Sequence, residues 1–294
     1  MIRVLHVVTY MGRGGLETML MNYYRTIDRS KVQFDFLVHR DFEADYDKEI
    51  GELGGRIYRM PKLNPVSGKY LNSLDDFFAA HSEYKIVHSH LDCMSGVVLK
   101  YAKKHGVPVR IAHSHSSSQE KDKKYLLKLF YKRNIPKYAT ALFACSKAAG
   151  DWMFSGAEYT VINNAVDSQL YSYSEHMRKN ARASLSIDEN SFVIGHVGRF
   201  SEVKNHSFIL DVFCEVIKKR PAAKLLLVGD GELRGSIEEK ALHMGLNDSV
   251  VFAGSRIDVP ELLSAMDVFL FPSHFEGLPL SVVEAQASGL PCFI

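Results

Sequence analysis

The chain has 294 residues, 46% hydrophobic, 11% aromatic and 24% charged, an ordinary globular composition that excludes a disordered chain, a collagen-like repeat and a disulfide scaffold. At roughly 150 residues per domain the length predicts about two domains with a sizeable core. Thirty-six Lys and Arg against 34 Asp and Glu leave a net charge of +2, so no global field points to nucleic acid. The four cysteines, Cys93, Cys145, Cys214 and Cys292, form no Cys-x-x-Cys pair and no Cys/His ligand spacing, and read as buried hydrophobes of a reducing compartment. The opening MIRVLHVVTY lacks the long apolar region of a signal peptide. No run of about 18 apolar residues is present to span a bilayer. The expected location is the cytoplasm, at most peripheral at the inner face of the plasma membrane.

Along the chain, short β-rich apolar runs alternate with longer helical patterns, the signature of parallel βαβ units and of the α/β class. Strands are predicted near residues 3–8, 34–38, 57–60, 86–90, 109–112, 141–145 and 160–162, with helices near 16–27, 70–81, 94–105 and 123–138. These complete a doubly wound domain over residues 1–165. The stretch 166–190 is polar, shows little strand periodicity and reads as a linker. A second set of strands follows near 192–197, 224–228, 250–252 and 268–271, with helices near 206–219 and 233–244. This second domain, residues 191–294, ends on GLPCFI, a helix end and a strand just begun. It is shorter than the roughly 150 residues typical of a domain, so it is expected to be incomplete, lacking a C-terminal helix or two.

Two constellations carry chemistry. In FVIGHVGRFSEVKNH an apolar strand ends at Gly198 and delivers Arg199 and Lys204 into the loop that follows. Ligands of open α/β sheets bind at the carboxyl ends of strands, where two cations suit a diphosphate; the alternative is a pair of solvated loop charges. In HFEGLPLSVVEAQASG, Glu276 lies in a loop, Gly277 would let a ligand approach the backbone, and Pro279 suits a first helical turn. Glu284 then falls one turn into the helix. The helix start offers N–H groups to a phosphate and the two carboxylates can accept hydrogen bonds from sugar hydroxyls. A dipole-stabilised Glu and an ordinary exposed Glu would explain each residue separately.

Glu276 and Glu284 with seven residues between them, followed by AQASGLP, and G-R-F-x-x-x-K-N at 198–205 resemble glycosyltransferase family 4. The resemblance extends over VTYMGRGGLE, YKIVHSHLD, VRIAHSHSSS, ALFACSKAA, INNAVD and LLLVGDGELR, in matching order. It is strongest to bacterial capsular and exopolysaccharide enzymes. It implies a GT-B architecture of two Rossmann-like domains facing across a cleft, acceptor bound by the first and donor by the second. It also implies retaining, metal-independent transfer of a sugar from a nucleotide-sugar, expected to be a UDP-sugar, to a glycan or polyprenyl-diphosphate-linked acceptor. No cofactor is implied. Arg199 and Lys204 would neutralise the donor diphosphate, as developing charge on the leaving group requires. Glu276, with Gly277 and Leu278, would contact the donor sugar, Glu284 would hold the ribose, and Ile257 would lie near the nucleobase. The loop 12–15, with Gly14 and Gly15, would close over the donor. The family's active-site histidine aligns best with His113; His115, His88 and His90 are rivals, and each could equally be a locally satisfied strand-end histidine. The rival functions are a GT-B-fold sugar-nucleotide epimerase and a non-catalytic nucleotide-sugar-binding fragment.

Asp45-Tyr46-Asp47 has the D-x-D form of a metal-binding motif but falls at a helix start, where acidic residues suit the dipole. GDGE at 229–232 lacks the third glycine of a dinucleotide fingerprint. Residues 120–138 hold seven basic residues against two acidic ones, with Lys121, Lys124, Lys128 and Lys132 at helical spacing beside Leu126, Leu129 and Phe130. Such a helix can lie on anionic lipid, or it can be a solvated face over an ordinary core stripe.

Overall fold

The computed structural model describes residues 1–119 and 124–294. Packing divides them into two compact units, Met1–Asn164 with Glu276–Leu278, and Ala165–Phe275 with Pro279–Ile294. The first unit holds β1 (Ile2–Val7), β2 (Val32–Val38), β3 (Ile57–Arg59), β4 (Ile86–Ser89), β5 (Val109–Ser114), β6 (Ala141–Ala144) and β7 (Thr160–Val161). All pair in parallel, in the order β3-β2-β1-β4-β5-β6-β7. The chain builds outward from β1 to β3, then returns past β1 to lay down β4. The order therefore reverses between β1 and β4, where ligands of open sheets bind.

Strand alternation separates the two faces of this sheet. Leu5, Val7, Leu37 and Val87 pack with Leu74 and Phe78 of the helix Gly68–Ala80 and Val98 and Leu99 of the helix Ser95–Lys104. Val8, Phe36 and Val38 join Met19, Leu20 and Tyr24 of the helix Gly15–Thr26 in a second core. The predicted helix over 123–138 is two pieces, Tyr125–Arg133 and Ile135–Tyr138. They part at Asn134, two residues before Pro136, which lacks an N–H and disfavours helical geometry in the residue preceding it.

The second unit holds β8 (Val193–Val197), β9 (Lys224–Val228), β10 (Val250–Gly254), β11 (Val268–Leu270) and β12 (Cys292–Phe293), parallel and ordered β10-β9-β8-β11-β12. The strands are near-continuous apolar runs because helices cover both faces. The stretch 166–190, read as a linker, contains the helix Glu175–Ser184 and is built into this unit. Ser174 caps it by accepting from Met177 N. Its apolar positions are few, so hydrophobic periodicity misses it. Two arginines hold it instead: Arg178 donates to the Ser264 and Met266 carbonyls and pairs with Asp267 at 2.7 Å, and the second is fully buried. Arg182, 1% exposed, donates to the carbonyls of Asp188, Glu189, Ser191 and Ala265 at 2.7–3.1 Å and pairs with Asp267 at 2.9 Å.

Replacing Arg182 takes this donor from the buried Ser191 and Ala265 carbonyls, while Asp267 keeps Arg178 at 2.7 Å and the Val193 N–H at 2.8 Å. Arg182→Met should therefore destabilise the second unit by about 3 kcal/mol or more, read as a lower urea midpoint. A midpoint equal to wild type would show that the guanidinium does not hold the helix.

Candidate active site

In the second unit, β8 ends at Val197 and the chain turns through Gly198-Arg199-Phe200 into a short helical turn at Glu202–Lys204 and the helix His206–Lys219. The exit of β9 presses on this turn. Gly229 has φ of 135°, and a Cβ there would lie 2.1 Å from the Gly198 carbonyl oxygen. Phe200 N donates to Asp230 O at 3.0 Å, Leu233 N donates to Phe200 O at 3.1 Å, and the Phe200 ring is buried. With its neighbours anchored, Arg199 projects outward, its side chain 63% exposed, and pairs with Glu232 at 2.9 Å. Lys204 runs back past Gly198, and its Nζ lies 4.5 Å from the Phe271 ring centroid. Both predicted cations thus stand at the carboxyl edge of this sheet, where an anion could take over the Arg199 guanidinium from Glu232. GDGE, read as a weak fingerprint, is the turn that braces them.

Glu284 is placed otherwise than an exposed helical Glu. It is 5% exposed, and its Oε1 accepts the Tyr171 hydroxyl proton at 2.8 Å. Burial pushes its carboxyl up to about 7, the Tyr171 hydrogen bond pulling the other way. Tyr171 was not singled out in the sequence, because a tyrosine in a polar stretch carries no motif. Ile257, 78% exposed, lies in the loop after β10. Glu276, Gly277 and Leu278 follow β11 and group by packing with the first unit, to which His113, Gly14 and Gly15 also belong. Gly14 is the N-cap of the helix Gly15–Thr26, with no side-chain cap.

His113, in β5, is 3% exposed. It stacks on His88 with centroids 5.2 Å apart, its Nδ1 3.2 Å from His88 Nε2. The histidines read as rivals are one group: His90 Nδ1 is 2.9 Å from His115 Nε2, and His6 Nδ1 is 3.0 Å from His90 Nε2. Burial lowers all five, His113 to about 4 and His6 to about 3, so they are neutral near pH 7. Asp92, which the sequence reading missed, has φ of 44° and accepts the His115 backbone N–H at 3.5 Å. Burial pushes its carboxyl up to about 6.

The D-x-D carboxylates are engaged by arginines, Asp45 with Arg13 at 3.3 Å and Asp47 with Arg59 at 2.5 Å. In the basic segment, Lys121 and Lys123 lie outside the described residues. On the helix Tyr125–Arg133, Leu126 and Phe130, one helical turn apart, are 79% and 63% exposed, while Lys132 turns inward over the Trp152 ring at 4.3 Å. The exposed stripe is therefore partly apolar.

Two parallel-sheet α/β units, one carrying paired cations at its carboxyl edge, define an enzyme of the GT-B glycosyltransferase class. The chain belongs to glycosyltransferase family 4: the model of that family matches residues 13–170, and the model of glycosyl transferases group 1 matches residues 177–294. The putative glycosyltransferase EpsF of Bacillus subtilis (strain 168) is 40% identical over 305 residues, taking in 99% of this chain and 78% of that protein. The UDP-Gal:alpha-D-GlcNAc-diphosphoundecaprenol alpha-1,3-galactosyltransferase of Escherichia coli is 30% identical over 72% of this chain and 58% of its own length. Anabaena HepE, solved in complex with UDP and glucose, superposes with a TM-score of 0.83 at 21% identity, over 99% of this chain and 80% of that one. The last likeness is one of fold.

The raised Glu284 carboxyl makes stability depend on pH. A carboxyl lifted from 4.5 to about 7 by folding contributes fully below its unfolded value, and the contribution is lost as pH rises through the folded one. Between about pH 5 and pH 8, Glu284→Gln, which cannot ionise, should gain about 2–3 kcal/mol on wild type. Urea unfolding at the two pH values measures this; a constant difference between the proteins would contradict it.

Proposed function

We propose that this chain transfers a sugar, with retention, from a UDP-sugar to a hydroxyl of a glycan or polyprenyl-diphosphate-linked glycan during polysaccharide assembly. The observation that carries the reading is the placement of Arg199 and Lys204 together at the carboxyl edge of β8, held by the packed exits of β8 and β9. Fixed cations at that edge stabilise the charge that develops on a departing nucleoside diphosphate, and they do so without a divalent metal. The choice of donor is supported by the UDP in HepE and by the name of the E. coli relative, which also supports a lipid-linked acceptor.

In this reading Glu284 accepts the ribose hydroxyls, ionising as they replace the apolar surroundings that keep it protonated. Ile257 flanks the base. Glu276, Gly277 and Leu278 contact the donor sugar, the loop with Gly14 and Gly15 closes over it, and His113 donates or accepts a hydrogen bond at its face. Substitution takes place on the front face. The bond from the anomeric carbon to the leaving diphosphate breaks, the bond to the acceptor oxygen forms on the same side, and the acceptor proton passes to the departing phosphate. The enzyme works at the cytoplasmic face of the membrane, with Leu126 and Phe130 of the basic helix touching lipid. Among the described residues no helix is long and apolar enough to cross a membrane.

Arg199→Ala and Lys204→Ala should each lower turnover by about 10²–10³ while leaving the unfolding midpoint near wild type. The check is product formation from UDP-sugar and a lipid-linked acceptor, read beside circular dichroism. Near-wild-type turnover in either variant would contradict the reading. Conversion of the donor without any acceptor would indicate an epimerase.

A further inference from the structure

The Glu284 carboxyl has one hydrogen-bond partner among the described residues, and the segment INNAVD with the turn after it delivers that partner. Asp167 ends the segment and opens the turn. Its Oδ1 accepts the Gln169 and Leu170 N–H groups at 2.9 and 3.3 Å, and its carbonyl accepts the Tyr171 N–H at 3.2 Å. A carboxylate that takes the N–H groups following it is a strong local turn former. The turn brings Tyr171 into the core of the second unit, where it is 7% exposed and groups with Phe269, Phe271 and Val282. The polar end of the ring donates to Glu284 Oε1 at 2.8 Å.

Packing alone does not account for this pair. A carboxyl inside a core is costly to charge, and an apolar side chain would fill the same space at less cost. The hydroxyl offsets part of that cost, because a hydrogen bond to a carboxylate favours its charged form. Among the described residues Tyr171 is the one titratable group that acts on the carboxyl from the elements packed on its helix, Leu280–Ala287. The two carboxyl oxygens are unlike. Oε1 is tied inside the core, whereas Oε2 has no hydrogen-bond partner among the described residues and is not one of the sealed, partnerless atoms. The 5% of Glu284 that stays exposed therefore includes Oε2.

We propose that Tyr171 is a positioning residue of the donor site: engaging Oε1 from within the core, it fixes the Glu284 carboxyl and leaves Oε2 to accept the ribose hydroxyls of a nucleoside diphosphate. The proposal rests on Glu284 being the ribose contact. Without the phenol hydroxyl neither oxygen is held, and the protonated carboxyl gains on the charged one. Nucleotide binding then requires the release of a proton that is held more tightly, so the loss of affinity grows as pH falls. A tyrosine that served only to fill the core would give a loss independent of pH.

The test is the affinity of the full chain for UDP, measured by calorimetry at about pH 6 and about pH 9, on either side of the raised Glu284 value of about 7. Comparing proteins at one pH cancels the titration of the diphosphate itself. Tyr171→Phe, which keeps the ring in the core, should bind about tenfold more weakly than wild type near pH 6 and within about twofold of it near pH 9. Glu284→Gln should bind about tenfold or more weakly than wild type near pH 9. Tyr173→Phe removes a hydroxyl that meets Glu175 at 2.6 Å on an exposed face, and should match wild type at both. An equal loss at the two pH values in Tyr171→Phe, or no loss, beside a weakened Glu284→Gln, would overturn the positioning role and leave the ribose contact standing. Unchanged affinity in Glu284→Gln would overturn the ribose contact, and the positioning role with it.

Discussion

At Gly229 the backbone runs so close to the Gly198 carbonyl that a side chain has nowhere to go, and much of the second unit's chemistry depends on that approach. It forces the exits of β8 and β9 into one layer, tied by the Phe200–Asp230 and Leu233–Phe200 backbone hydrogen bonds. Phe200 is thereby driven into the core. Alternation then turns Arg199 outward, while Lys204 folds back over Phe271. Cations preorganised in this way do not have to be gathered when charge develops, and preorganisation is where electrostatic catalysis gains most of its strength. Glu232, which holds Arg199, comes from the same β9 exit, so the turn that places the arginine also supplies the carboxylate that an anionic ligand would displace.

The two units use polar groups differently. In the second, Arg182 and Glu284 are buried with partners that define the packing: Arg182, beside Arg178, ties the helix Glu175–Ser184 to Asp267 at the start of β11, and the one carboxyl is held by Tyr171. In the first, beside the fully buried Asp35 held by Arg3 and Tyr84, five neutral imidazoles gather at the place where the strand order reverses, His6, His90 and His113 buried and His88 and His115 partly so. Histidine suits such a place because burial removes its charge without removing its capacity to accept a proton, a hydrogen bond or a metal.

The parallel strands were legible because each is a short apolar run between helical patterns, and the cations because a strand end delivered them into a glycine-marked loop. The family resemblance, confirmed over both halves of the chain, rested on motifs around strand ends, where spacing survives changes in the core. The helix Glu175–Ser184 was not legible, since its hold is two arginines rather than an apolar stripe. The spacing marks Glu284 as a candidate but does not show its burial, because spacing cannot reveal what packs above a helix. The histidines were read one by one; their union depends on the register of β1, β4 and β5, which single segments do not encode.

The central claim is that Arg199 and Lys204 are the diphosphate contacts of a nucleotide-sugar site. Calorimetric titration of the chain with UDP, beside the Arg199→Ala/Lys204→Ala double variant, tests it most directly. The account predicts saturable binding by wild type that weakens at least about tenfold in the double variant, in step with the loss of two charge-assisted contacts. Equal UDP affinity in both proteins would contradict it.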